Sequence, residues 1–330
     1  MTVSSVERRQ WIAGALALPL AAAVNRVFAQ TAKWPTKPLR VILGYPPGGG
    51  ADGVARAIER GLAGALGQPI VFDYKPGAGA TIAAESAARV PADGYVLHLM
   101  DAGPATILPN GKKVNYDPFT DFTYIGLAAD GGTLLVSHPD VPVKNLADLI
   151  ALAKQKPGEL SYGTSGIGGG GHLAAELLQA STGIQLVHVP YKGGAQASTD
   201  LQGGQIPLLF SSMPTAVPYV KSGKMRPLAT TSLNRASTLP DVPTVAEQGY
   251  PGFEATIWYG LVGPKGVPRP IVDAVNQALK VALADANVQK LLSEQGYEAA
   301  YTTPEGFEKR LRGDSEKWGK VIRDAKIAFP

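Results

Sequence analysis

Short apolar runs alternate with amphipathic stretches from residue 39 onward. Leu39-Arg40-Val41-Ile42-Leu43 predicts a strand. A turn-rich link, Gly44 to Asp52, follows it, and Val54, Ile58, Leu62 and Leu66 then recur every fourth residue, which predicts a helix with one buried face. Ile70-Val71-Phe72 and Tyr95 to Met100 predict two more strands around a helix over 78–89. Strand, helix, strand, helix, strand with short links is half of a doubly wound sheet. From about Phe122 the pattern restarts with two extended runs, Tyr124 to Leu127 and Leu134 to Val136, separated by Gly131-Gly132. A helix over Leu146 to Lys154, a strand over Leu160 to Gly163, a helix from His172, a strand over Leu186 to Val189 and a helix from Ala195 come next. Ile257 to Val262 predicts a buried strand. The tail predicts helices, one carrying Ile271, Val275, Ala278 and Ala282 in a stripe and another Phe307, Leu311, Trp318 and Ile322.

This order places the chain in the α/β class, with two mainly parallel sheets and flanking helices. A chain that builds half a sheet, then a second α/β unit, then long helices points to a discontinuous domain. The expected lobes are 30–128 with 258–330, and 129–257, joined by crossing strands that act as a hinge.

The N-terminus reads differently. Arg8 and Arg9 precede an apolar run from Trp11 through Val24, and Val27-Phe28-Ala29 supplies small residues for cleavage before Gln30. That order is a signal peptide over 1–29, too short for a spanning helix with stop-transfer flanks. Glu7-Arg8-Arg9-Gln10-Trp11-Ile12 approximates a twin-arginine signal with tryptophan in place of phenylalanine, so both export routes stay open. A mature protein in the periplasm is the expectation.

Composition changes the picture only by exclusion. The 330 residues hold no cysteine, which removes disulfides, thiolate metal sites and cysteine nucleophiles. The net charge of +4 is spread along the chain without basic clusters, which argues against a nucleic-acid partner. The four histidines, His98, His138, His172 and His188, have neither the spacing nor the accompanying carboxylates of a metal site.

Three glycine-rich links between a strand and a helix carry the candidate chemistry. The first, Tyr45-Pro46-Pro47-Gly48-Gly49-Gly50-Ala51-Asp52, lets backbone approach a ligand at a helix start, where unpaired N–H groups favour an anion. Asp52 is read either as a helix cap or as a ligand contact. The second is Ser161 to His172. Gly166, Gly168 and Gly171 satisfy G-x-G-x-x-G, but no acid stands at a strand end about 20 positions on, and no lysine follows as in a Walker loop. Loop N–H groups plus the hydroxyls of Thr164 and Ser165 would make an anion pocket without those parts. The third is Pro190-Tyr191-Lys192-Gly193-Gly194-Ala195. Lys192 is either a counter-ion or a solvated side chain, and Tyr191 either stacks on a ligand or packs in the wall.

With these motifs the chain resembles the Bug-type substrate-binding receptors of tripartite tricarboxylate transporters. The resemblance runs through Tyr45 to Asp52, Tyr116-Asp117-Pro118 with Asp121-Phe122, Gly163-Thr164-Ser165-Gly166 with His172-Leu173, His188-Val189-Pro190-Tyr191-Lys192-Gly193, Leu239-Pro240-Asp241-Val242-Pro243-Thr244, and Trp258 with Gly263-Pro264. It implies the two-lobed, type II-like periplasmic binding protein fold. It also implies a monomeric receptor without catalysis, cofactor or metal, which holds a small carboxylate in the cleft and delivers it to inner-membrane permease subunits. Carried over by motif, the ligand contributors are Tyr45, Pro47, Gly48, Gly49 and Asp52; Thr164, Ser165, Gly166, Gly168 and His172; and Tyr191, Lys192, Gly193 and Ala195. Asp101, after the third strand, departs from the pattern and puts an acid at the cleft mouth, where it repels some carboxylates or accepts from an amino or hydroxyl group. Two other classes share these features: an exported nicotinamide-dependent oxidoreductase using loop 166–171, and a receptor read by a sensor protein.

Overall fold

The computed structural model describes residues 34–329, so the leader read over 1–29 lies outside the described residues. The first half-sheet is built as its periodicity requires, from β1 (Leu39–Leu43), α1 (Gly50–Leu66), β2 (Ile70–Tyr74), α2 (Thr81–Ala88) and β3 (Val96–Asp101). A π-helical stretch, Gly103–Ile107, and the short α3 (Leu108–Gly111) lead to β4 (Phe122–Ser137). The second unit holds α4 (Leu146–Gln155), β5 (Ser161–Thr164), α5 (Gly170–Thr182), β6 (Val187–Pro190), α6 (Gly194–Gln202), β7 (Leu208–Ser212), α7 (Met213–Lys221) and β8 (Arg226–Thr230). The chain then returns through β9 (Thr256–Pro264), α8 (Arg269–Ala284), α9 (Ala286–Glu294), β10 (Glu298–Ala299) and α10 (Pro304–Asp324).

The strands follow the order β2-β1-β3-β9-β4-β7-β5-β6, with β8 and β10 pairing to β4 off that path. The expected parallel character is confined to the flanks, β2-β1-β3 and β7-β5-β6. The middle is antiparallel, because β9 enters out of sequence between β3 and β4, and β4 runs against β7. The α/β class stands. β4 runs through both halves of the sheet, pairing with β9 over 122–132 and with β7 and β8 over 133–137.

Gly131-Gly132 does not break β4 into two runs. Both glycines lie inside one 16-residue strand and pair with Ile257 and Thr256. They make room instead of a turn: a Cβ on Gly131 would stand 2.7 Å from Tyr297 Cδ1, and one on Gly132 would stand 2.7 Å from the Ser232 nitrogen. The elements β7, α7 and β8 have no clear sequence signature. Their strands are only five residues long, and α7 carries an internal proline, Pro218, that obscures its period.

β9 alternates in a way that sets up the site. Trp258 is fully buried on one face, stacked edge-on to Phe307 at 5.3 Å, and its indole N–H donates to Asp314 Oδ2 at 2.6 Å. Arg310 holds the same carboxylate at 2.9 Å, so α10 is clamped against that face. Ile257 and Tyr259 therefore face the opposite way. Among the described residues, no helix is long and apolar enough to cross a membrane.

Candidate functional site

The face of β9 carrying Ile257 and Tyr259 gathers two helix N-termini. Gly170, the first residue of α5, sits against the Ile257 side chain. Gly50, the first residue of α1, sits where a Cβ would come 2.5 Å from the Tyr297 hydroxyl and 2.7 Å from that of Tyr259. Two residues along a strand span roughly 7 Å. Helices from the two ends of the sheet thus point their positive, N–H-rich ends at one small region, an arrangement suited to an anion. Neither start is capped by a side chain: Gly49 and Gly169 hold the N-cap positions, and neither makes a side-chain cap bond.

The β1–α1 loop is braced from behind. Asp52 is buried in the first turn of α1 rather than at its cap, and its carboxylate accepts from the Gly48 N–H at 2.9 Å, from the Tyr74 hydroxyl at 2.6 Å and from Arg56 Nε at 3.0 Å. Those bonds hold the carboxyl below the usual range despite burial, which acts the other way. Asp52 is committed to the loop's shape. Pro47, Gly48 and Gly49 stay exposed, with Gly48 left-handed at φ +85°. Tyr45 is half-buried, and its hydroxyl donates to Asp101 Oδ1 at 3.3 Å.

Asp101 is buried, only 5% exposed. It ends β3 and stands directly opposite Tyr259 in the antiparallel pairing, so the two side chains share the face that meets the helix starts. Gly103 N–H donates to its Oδ1 at 2.8 Å. Burial pushes its carboxyl up to about 7, against the lowering effect of those two hydrogen bonds. Tyr259 and Tyr297, whose hydroxyls lie 3.5 Å apart, complete this corner. Neither was singled out from sequence. The alternation along Ile257-Trp258-Tyr259 was the only signal for Tyr259, and Tyr297 follows no pattern.

In the β5–α5 loop the two hydroxyls part company. The Thr164 side chain turns inward: Oγ1 donates to Gly166 O at 3.0 Å, accepts from Gly166 N–H at 3.2 Å, and lies 2.7 Å from His188 Nε2. Thr164 is fully buried and shapes the loop. Ser165 is exposed, and its hydroxyl has no hydrogen-bond partner among the described residues. His172 lies on the third residue of α5, not the first, and its Nδ1 accepts from the Gly168 N–H at 3.1 Å. Its ring stacks on His188, which stacks in turn on Tyr162 at 5.0 Å. The Tyr162 hydroxyl donates to Glu176 at 2.7 Å, so this column anchors the loop to α5.

The β6–α6 loop lies beside it, with Tyr191 N–H donating to Thr164 O at 3.0 Å. Tyr191 packs over Gly163, with ring Cε2 3.3 Å from where a Cβ would stand there, and burial with Asp200 beside it pushes its phenol up to about 12. It belongs to the wall. Lys192 is exposed and has no ion pair among the described residues. Gly193 is half-buried just ahead of α6, and Ala195 is exposed in its first turn.

The β5-α5-β6 unit also bears on a dinucleotide reading. A ribose-binding acid belongs at the end of the second strand of such a unit. Here that position is Pro190-Tyr191-Lys192, and the nearest acid, Asp200, sits in α6.

Known proteins resemble this chain along most of its length. The model of the tripartite tricarboxylate transporter family receptor matches residues 54–327. The protein BugT of Bordetella pertussis is 33% identical over 293 residues, 88% of this chain and 90% of its own length. Among solved structures, Rpa4515 of R. palustris with adipate superposes with a TM-score of 0.82 at 35% identity, covering 89% of this chain and 99% of that one. MatC from Rhodopseudomonas palustris with bound malate superposes with a TM-score of 0.78 at 29% identity, covering 88% and 100%. The chain belongs to the tripartite tricarboxylate transporter receptor family.

Proposed function

We propose that this chain is a periplasmic solute-binding receptor that captures a small carboxylate and hands it to the membrane subunits of a tripartite transporter, without catalysing a reaction. The observation that carries the reading is the convergence of the uncapped α1 and α5 N-termini on the Ile257–Tyr259 face of β9. Backbone N–H groups hold an anion without a fixed counter-ion, which suits reversible capture. Relatives of the same family solved with adipate and malate support a carboxylate ligand. In this proposal the lobes are 30–128 with 258–330, and 129–257, and the ligand closes one on the other by contacting both. Export by the N-terminal leader completes it.

Thermal melting with a panel of mono-, di- and tricarboxylates tests the reading. A ligand at a hundred times its dissociation constant adds about 2.7 kcal/mol of stability. A panel without any shift, alongside a shift with sugars or inorganic cations, would overturn it. The nicotinamide alternative is checked on the same protein by the absorbance of the native preparation, which carries no cofactor band if the receptor reading is right.

A further inference from the structure

An acid in the wall of an anion site needs a reason. Asp101 is 5% exposed, and its Oδ1 already accepts two hydrogen bonds, from Gly103 N–H and the Tyr45 hydroxyl. Its other oxygen, Oδ2, accepts none among the described residues and is not shut off from solvent. The titratable groups that feel this carboxylate's charge are the neutral phenols of Tyr45, Tyr116, Tyr259 and Tyr297, and among the described residues no basic side chain offsets it. A mostly buried acceptor with an open lone pair is costly until a donor arrives. The register with Tyr259 puts that oxygen's side chain on the face where the two helix starts converge.

We propose that Asp101 is a specificity-determining residue, and that the ligand is a carboxylate carrying a hydrogen-bond donor, an ammonium or a hydroxyl, which Asp101 Oδ2 accepts. This rests on the receptor reading above and narrows it. The ligand's carboxylate takes the backbone N–H groups at the helix starts, and its donor takes Asp101. When Asp101 is ionised, a plain carboxylate has nothing to offer Oδ2 and brings a second negative charge toward an acid that no basic side chain among the described residues offsets, so the site discriminates against it. Burial raises the Asp101 carboxyl to about 7, and a ligand donor on Oδ2 would favour its ionised form.

Succinate, malate and aspartate form a matched set, differing only in hydrogen, hydroxyl or ammonium at one carbon. Calorimetric titration of each into the full chain and into Asp101→Asn measures the discrimination. A hydrogen bond to a charged group corresponds to about tenfold or more in affinity. Malate or aspartate should therefore bind at least about tenfold tighter than succinate, and whichever binds tighter names the donor. In Asp101→Asn that ratio should fall to within about twofold, with succinate binding no weaker than before. Equal binding of all three to the native chain, or an unchanged ratio in the variant, would overturn the inference while leaving the receptor reading intact. If Asp101→Asn does not fold, the native ratio alone decides. If the four-carbon set does not bind, glutarate, 2-hydroxyglutarate and glutamate, then propionate, lactate and alanine, repeat the comparison. No binding in any set overturns the inference, whereas the receptor reading is decided by the wider carboxylate panel above.

Discussion

The imidazole of His172 lies 4.0 Å from that of His188, the rings tilted by only 12°. His172 is buried and His188 half-buried, and Glu176 Oε1 stands 3.7 Å from His172 Nε2, yet burial outweighs that acid. Desolvation, with a smaller contribution from His188, drives His172 down to about 3, and desolvation drives His188 down to about 4. The pair keeps the β5–α5 loop in shape only while neutral, since a proton on His172 Nδ1 would displace the Gly168 N–H it accepts.

Acid should therefore unfold this protein early. In the unfolded chain both imidazoles titrate near 6.5, so between that value and the folded values the unfolded state binds more protons. The stability tied to the pair is complete above about pH 6.5 and is lost as pH falls toward about 4 and then 3. His98, pushed down to about 4 by burial in β3, adds to the same slope. Urea melts from pH 8 to pH 4 should show falling stability, and His172→Gln with His188→Gln should flatten the curve in that window. A double variant with an unchanged slope would show that the stack does not set the acid limit.

Thr164 and Ser165 should separate cleanly. Thr164→Ala removes a buried hydroxyl that binds Gly166 twice and meets His188, so it should cost about 1–3 kcal/mol of stability. Ser165→Ala removes an exposed hydroxyl and should leave melting unchanged within about 0.5 kcal/mol. If Ser165 meets the ligand carboxylate, the same change weakens binding by about tenfold. Melting curves and titrations on the two variants check this. Equal melting temperatures would contradict the inward orientation of Thr164.

Glycine at position 131 is a packing requirement, and glycine at position 64 is not. A Cβ on Gly131 would meet Tyr297 Cδ1 at 2.7 Å and the Gly296 carbonyl at 2.8 Å, whereas one on Gly64 meets nothing within 4 Å. Gly131→Ala should cost about 1–3 kcal/mol through overpacking and, by shifting Tyr297, weaken ligand binding as well. Gly64→Ala, in the interior of α1, should stabilise by about 0.5–1 kcal/mol. Chemical denaturation of both variants reads the sign directly.

The sequence by itself determined what depends on neighbours along the chain. The period of Val54, Ile58 and Leu62 makes α1, the apolar run Leu39–Leu43 makes β1, and the glycine clusters mark where strands turn into helices. It located the β1–α1, β5–α5 and β6–α6 loops, because a glycine's freedom at a link such as Gly48 is a property of that residue. The antiparallel middle of the sheet could not be read this way. β9 joins β3 and β4 from far along the chain, and β4 keeps its glycines for close approach, which looks like a break in one dimension. Only the tertiary structure decided which way each polar side chain faces. It turned Asp52, Thr164 and Tyr191 into braces, stacked His172 on His188, and set Asp101 beside Tyr259. Orientation of that kind is fixed by strand register and by partners distant in sequence, and local pattern carries no information about either.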